Sequence, residues 1–300
     1  MWTKDNMPAL TGKTVIITGA NAGIGYETAL ACYQKGADVI LACRNLQSAN
    51  DAIANLQLEK GSGTLKARAM DLSDLTSVKQ FAIEYLRDHA SLNLLINNAG
   101  VMIPPAGKTT EGYELQFGVN FLGHFTLTGL LYPLLRHTPE SRIVTLTSGA
   151  YLNGTIDFDN LKLEKAYVPE REYAQSKLAD LLFSLELQRR IEKTGDAVLS
   201  VAAHPGAVET ELARYMTKES YTAALERFGA LMLPAQGALT SLYAATASDV
   251  IGGTYYAPDQ DGIRGYPVKT AIAPHATDQL VAEKLWNLAE AITGIQFPMR

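Results

Sequence analysis

The sequence predicts an α/β protein: a single doubly wound Rossmann-type domain built on a mainly parallel sheet. Two observations carry that prediction. Short apolar, strand-like runs alternate with longer amphipathic segments from Lys13 to about Pro258, as a sheet buried on both faces requires. The first run also ends in a glycine-rich turn, Thr18-Gly19-Ala20-Asn21-Ala22-Gly23-Ile24-Gly25, that leads directly into a helical pattern.

Taken in order, the strand-like runs are KTVIITG (13–19), ADVILACR (37–44), LKARAMDL (65–72), LNLLINNAG (92–100), RIVTLTSGA (142–150), AVLSVAAHPG (197–206) and GGTYYAP (252–258). Helix boundaries between them are marked by Gly36 in KGAD, by Ser73 or Asp74 in DLSDL, and by Gly195 in KTGD. The most apolar stretch, VNFLGHFTLTGLLYPLL (119–135), contains Asn120, His124 and Pro133, so it reads as a buried helix rather than a membrane span. No low-complexity block or linker divides the chain. One domain over 1–300 is expected, with a cofactor half at about 13–136 and a catalytic and substrate half at about 137–300. Irregular insertions at 101–116, 149–171 and 207–233 follow strand carboxyl ends, where a doubly wound sheet builds its ligand site, and the last reads as a helical flap.

Composition narrows the function classes. With 47% hydrophobic and 19% charged residues and a net charge of −5, the chain lacks the basic excess of a nucleic-acid or anionic-membrane binder. Its only cysteines, Cys32 and Cys43, have no paired spacing, which argues against a disulfide framework and a metal site. The opening MWTKDNMPAL has no apolar signal core, and a cytoplasmic protein without a membrane span is expected.

Glycines in a strand-turn-helix context let the backbone approach a pyrophosphate at the positive helix N-terminus. Alone, they could equally punctuate an ordinary βα turn.

The turn does not stand alone. Thr18-Gly19-x-x-x-Gly23-x-Gly25, Asp71-Leu72, NNAG at 97–100, VN at Asn120, the strand end at Ser148, YAQSK at 173–177 and HPGAVET at 204–210 resemble, in order, the short-chain dehydrogenase/reductase family. ACRN after the second strand, GYELQFGVNFLGHF and YAQSKLADLLFSLELQRR are most similar to its retinol-dehydrogenase-like and protochlorophyllide-reductase-like branch. The resemblance implies a seven-stranded sheet, with Tyr173 as acid/base, Lys177 on the nicotinamide ribose, Ser148 on the reacting oxygen and Asn120 holding a relay water. It further implies a cofactor held by Gly19, Asn21, Gly23, Ile24 and Gly25, with Asp71 and Leu72 toward adenine and Asn98, Ala99 and Gly100 lining the cleft. Pro205, Gly206, Val208 and Thr210 would meet the nicotinamide amide and pyrophosphate, while His204 reads as structural. The apolar helices near 114–135 and 173–192 resemble subunit contacts, so a homodimer or homotetramer is expected.

The chemistry fits the spacing. Alcohol–carbonyl interconversion needs a group that exchanges a proton while hydride moves, and free tyrosine ionises near pH 10. Lys177 follows Tyr173 by four positions, one turn along the same helix face, where its cation favours a phenolate. Tyr167 and Arg171 share that spacing, but Pro169 between them opposes a continuous helix. Ser148 and Tyr173 lie 25 positions apart, wider than the family's usual interval, which marks an insertion that bears on pocket shape. Cys43 stands where the family's NAD-binding members place an acid, and Arg44 follows, so NADP(H) is expected in preference to NAD(H). The function expected is NADP(H)-dependent interconversion of an alcohol and a carbonyl on a lipophilic small molecule. Reduction of a conjugated C=C bond and NADP(H) sensing without turnover are the alternatives.

Overall fold

In the computed structural model, which describes residues 1–297, the strands are β1 (Thr14–Thr18), β2 (Asp38–Cys43), β3 (Thr64–Ala69), β4 (Leu94–Asn97), β5 (Arg142–Leu146), β6 (Leu199–Ala203), β7 (Tyr255–Gln260) and β8 (Arg264–Lys269). The last three residues of the expected 1–300 domain lie outside the described residues. The strands form one sheet in the order β3-β2-β1-β4-β5-β6-β7-β8, parallel except for the final β7–β8 pair. The order reverses between β1 and β4, so the carboxyl ends of these strands flank the crevice in which doubly wound sheets bind ligands.

The count is eight, not the expected seven, because β8 is an antiparallel edge strand. Its RGYPVK sequence carries a glycine and a proline, which discourage a strand assignment but are tolerated at a sheet edge. The turn before it contains Asp261 and Gly262, both at positive φ (54° and 72°), as a tight hairpin demands.

The α-helices among the described residues are α1 (Gly23–Gln34), α2 (Leu46–Leu58), α3 (Leu75–Asp88), α4 (Gly123–His137), α5 (Pro169–Thr194), α6 (Lys218–Phe228), α7 (Pro234–Thr246) and α8 (Gln279–Thr293). The helix signals translate into caps. Asp74 accepts from Thr76 N at the start of α3, and Gly195 (φ 72°) closes α5. Side chains alternate across the sheet, so Ile16, Leu95 and Ile143 pack under α3, α4 and α5, while Val15, Ile17 and Ile96 pack under α1 and α7.

The apolar faces of α4 and α5 meet the chain's own C-terminal segment. Trp286 of α8 lies edge-on to Phe125 of α4, with ring centroids 5.2 Å apart, and stacks on Phe183 of α5 at 5.9 Å. Phe297 closes the cluster at 4.5 Å from Trp286, and Arg190 lies over the indole at 4.4 Å. The burial in these helices, which suggests subunit contacts in the sequence, is therefore accounted for within one chain. Among the described residues no helix is long and apolar enough to cross a membrane.

Candidate functional site

The glycine turn joins β1 to α1, which starts at Gly23 with no side chain capping its first amides. Those amides are left facing whatever lies at the helix N-terminus. Gly19 and Gly23 have positive φ (64° and 55°), which a side chain resists. Gly25 is required for a different reason: a Cβ there would stand 2.5 Å from both Asn98 Nδ2 and Gly19 O. The turn thus closes on the end of β4, where Asn98 Nδ2 donates to Thr18 O at 2.8 Å. Thr18 Oγ1 accepts from the amides of Asn98 and Ala99, each at 2.9 Å. Asn98 and Ala99 act first as braces of the glycine turn, a role that their place in a cleft-lining motif does not reveal.

Beyond β3, Asp71 Oδ1 accepts from both the amide and hydroxyl of Ser73, and Leu72 is buried against Gly123. Cys43 is buried beside the amides of Gly19, Ala20 and Asn21, and burial pushes its thiol up. Arg44 follows it on the surface and makes no ion pair among the described residues, while Asn45 caps α2. On the opposite wall, Thr210 packs within 3.4 Å of a Cβ position on Gly23, and Val208 pairs with Met232 at the base of the 207–233 segment. Gly206, at φ 88°, comes so close to Ile263 O that a Cβ would lie 2.5 Å away. Pro205 precedes it in the same turn. Within 207–233 the expected flap is a short 3₁₀ turn, Glu211–Tyr215, followed by α6, none of whose residues is buried.

Asn120, Ser148, Tyr173 and Lys177 come from three elements. Residues 117–122 form a π-helical turn ahead of α4, a geometry frequent at functional sites because it displaces backbone groups. Asn120 Oδ1 accepts from Val101 N at 2.8 Å, and its Nδ2 donates to Ser176 Oγ at 2.9 Å, tying the turn to α5. Its carbonyl accepts from His124 Nδ1 at 2.7 Å, while His124 Nε2 meets Thr18 Oγ1 at 2.9 Å. Burial pushes that imidazole down to about 4, so a neutral histidine links the glycine turn to Asn120. His204, at the end of β6, is also held at about 4 by burial and by the nearby Lys177 charge.

Ser148 stands just beyond β5 and caps the 3₁₀ turn Gly149–Asn153, accepting from Ala150 N. One residue earlier, Thr147 Oγ1 donates to Lys177 O at 2.7 Å, which fixes this strand end to α5. Tyr173 is 7% exposed, and its hydroxyl has no hydrogen-bond partner among the described residues. Lys177 Nζ is buried, donating to Leu146 O at 3.0 Å and to Asp180 Oδ2 at 2.8 Å. A Cβ on Gly100 would lie 3.2 Å from Asn120 Oδ1 and 3.8 Å from Lys177 Nζ. Gly100 thus borders both the Asn120 carboxamide and the buried ammonium.

The long interval between Ser148 and Tyr173 folds back onto the start of α5. Gln175 Oε1 accepts from Asp157 N at 2.6 Å, and Asn160 Nδ2 donates to Glu172 Oε1. Pro169 is the first residue of α5, so Tyr167 lies outside the helix. Its hydroxyl donates to Pro104 O at 2.6 Å and accepts from Gln116 Nε2, clamping the 101–116 and 149–171 segments together. Sequence reasoning missed this clamp, as it missed Asp180. Asp180 lies on the same helical face as Tyr173 and Lys177, and counting turns could have found it.

Residues 13–220 match the family model for short chain dehydrogenase. The chain belongs to the short-chain dehydrogenase family. Its relatives include human retinol dehydrogenase 13, 39% identical over 297 residues and matched over 96% of this chain and 87% of the relative. Human retinol dehydrogenase 14 is 40% identical, with 95% and 87% covered. Such identity supports membership of the retinol-dehydrogenase-like branch of this short-chain family and, with it, an oxidoreductase. Among solved structures, an uncharacterised protein from Mycobacterium paratuberculosis superposes with a TM-score of 0.83 at 36% identity over 99% of both chains. Pseudomonas aeruginosa RhlG, solved as an NADP active-site complex, shares the fold at a TM-score of 0.66 and 21% identity, covering 82% of this chain and 94% of that one.

Proposed function

We propose that this short-chain dehydrogenase interconverts an alcohol and a carbonyl on a lipophilic small molecule, with NADP(H) as its cofactor and Tyr173 as the acid/base. One observation carries the reading: the buried Lys177 ammonium stands beside Gly100 and one helical turn from Tyr173, whose hydroxyl has no partner among the described residues. The residues fit a dinucleotide, since the turn leaves no room for a Cβ at Gly19 or Gly25, Gly23 has positive φ, and the α1 amides are uncapped. Gly19, Asn21, Gly23, Ile24 and Gly25 would hold its pyrophosphate, with Asp71, Leu72, Asn98, Ala99 and Gly100 along the cleft and Pro205, Gly206, Val208 and Thr210 opposite. Arg44, exposed and unpaired, would meet a 2′-phosphate. Residues 13–136 serve as the cofactor half and the remainder as the catalytic and substrate half.

The nicotinamide ring supplies the hydride acceptor in oxidation and the donor in reduction. In oxidation, Tyr173 takes the hydroxyl proton as the carbinol C–H bond breaks, leaving a carbonyl; in reduction it returns that proton to the oxygen. Lys177 favours the phenolate electrostatically and grips the ribose. Ser148 donates to the reacting oxygen, and Asn120 orders the proton path. The retinol dehydrogenase relatives favour a retinoid-like substrate, long, apolar and bearing one terminal oxygen.

A screen of NADPH oxidation over aldehydes, ketones and enones, with products identified, tests the reading. Alcohol products from carbonyl substrates are expected. Saturation of C=C bonds with carbonyls untouched, or binding of NADPH without turnover across the panel, would overturn it.

A further inference from the structure

Tyr173, Lys177 and Asp180 occupy positions i, i+4 and i+7 of α5, one continuous stripe on a single helix face. Asp180 is 1% exposed, and its Oδ2 accepts from Lys177 Nζ at 2.8 Å. Its other oxygen has no protein partner among the described residues. A buried ion pair is a poor device for stability alone, because desolvation offsets most of its attraction and apolar replacements often do as well. Its location is more telling than its strength: Asp180 and Leu146 O occupy two of the three ammonium N–H groups, and the nitrogen they hold borders Gly100.

We propose that Asp180 is a positioning residue for the reaction, fixing the Lys177 ammonium at the cleft and setting, through its own charge, how strongly Lys177 favours the Tyr173 phenolate. The proposal rests on the proton-transfer role assigned above to Tyr173. With Asp180 ionised, Lys177 acts on Tyr173 as half of a neutralised pair; with Asp180 uncharged, a Lys177 that keeps its proton against burial acts with its full positive charge.

Surrounding groups leave this control to Asp180. His124 from α4 and His204 from β6 face Lys177, and both are held neutral down to about pH 4. The Lys177 charge pulls on Asp180, and Asp180 and Tyr173 in turn favour the charge on Lys177. The lysine is held above its ordinary range: burial opposes its charge, and Asp180 and Tyr173 together outweigh burial. Burial pushes the Asp180 carboxyl up against the pull of Lys177, so desolvation and the ion pair act on it in opposite directions.

The test is a pH titration of the intact chain labelled with ¹³Cζ-tyrosine, followed by NMR, with the Tyr173 resonance assigned by its loss in Tyr173→Phe. Asp180→Asn keeps the acceptor and removes the charge, and is expected to lower the Tyr173 midpoint by about half a unit or more. The basic limb of the kcat profile for alcohol oxidation should move with it, and the KM for cofactor should rise. An unchanged Tyr173 midpoint in Asp180→Asn overturns the proposal. Asp180→Ser is titrated in the same way should Asp180→Asn fail to fold, and loss of fold in both variants marks Asp180 as purely structural, which overturns it equally. The titration needs neither substrate nor cofactor, so a wild-type chain without turnover sinks the reading of Tyr173 as catalyst while leaving the electrostatic link measurable.

Discussion

Gly25 of α1 and Asn98 at the end of β4 approach so closely that a Cβ on the glycine would lie 2.5 Å from Asn98 Nδ2. The same amide donates to Thr18 O, so the third glycine of the turn exists to let β4 hold the first. Gly25→Ala should displace Asn98 and open the turn. NADPH affinity measured by fluorescence is expected to fall at least tenfold, about 1.4 kcal/mol, and the melting temperature to drop as well. Undiminished binding would show that the close approach has nothing to do with the cofactor.

Removing only the phenolic oxygen of Tyr173 should leave NADPH binding close to wild type and lower kcat by about 10²- to 10⁴-fold, the range of general acid/base assistance. Tyr167→Phe loses the bonds to Pro104 O and Gln116, which join two loops. It should therefore raise the substrate KM with a far smaller effect on kcat. Equal kcat losses in the two variants would reject Tyr173 as the proton donor.

Arg44 is the exposed cation immediately after β2. Arg44→Ala should weaken NADPH by about 1.5–3 kcal/mol, typical of hydrogen bonds to charged groups, and leave NADH nearly unchanged. Isothermal titration with both cofactors decides this. A wild-type protein that binds the two equally contradicts the assignment at once.

The aromatic cluster beneath α8 predicts a stability effect remote from the chemistry. Trp286→Ala removes a side chain packed on Phe125, Phe183 and Phe297, and should cost about 3–5 kcal/mol in urea unfolding. It should also uncover the apolar faces of α4 and α5, so concentration-dependent association in light scattering is expected of the variant.

Burial pushes the Glu114 carboxyl up to about 7, with Glu172 nearby adding to the effect. A folded-state value above the unfolded one means that the native state holds the extra proton between about pH 4.5 and 7. Stability from this group is therefore full below that window and is lost as pH rises through it. Glu114→Gln, which keeps the neutral shape, should gain on the wild type by on the order of 2–3 kcal/mol between pH 5 and pH 8. Denaturant unfolding at the two pH values measures the difference, and parallel curves would reject the buried carboxyl as its source.

Much of this molecule is written locally. Short apolar runs placed seven strands, and glycine and aspartate signals placed ends of α1, α3 and α5, because those signals act through the backbone of adjacent residues. The glycine turn and the Tyr173–Lys177 pair were legible for the same reason: a helical turn and a strand-to-helix turn fix their own geometry. β8 escaped because Gly265 and Pro267 oppose a strand locally, and only the free edge of β7 makes them acceptable.

Tertiary structure alone decided what meets across distance in sequence. Nothing near Phe125 or Phe183 announces that their partner is Trp286, more than a hundred residues onward, so their apolar helices read as surfaces for a second subunit. Likewise the reach of His124 to Thr18 and the approach of Lys177 to Gly100 depend on packing α4 and α5 against one sheet. The sequence by itself determined the elements and the chemical groups they carry, since propensity and periodicity are short-range. Burial, partner and charge state were decided by the fold, because desolvation and ion pairing depend on every element packed around a group.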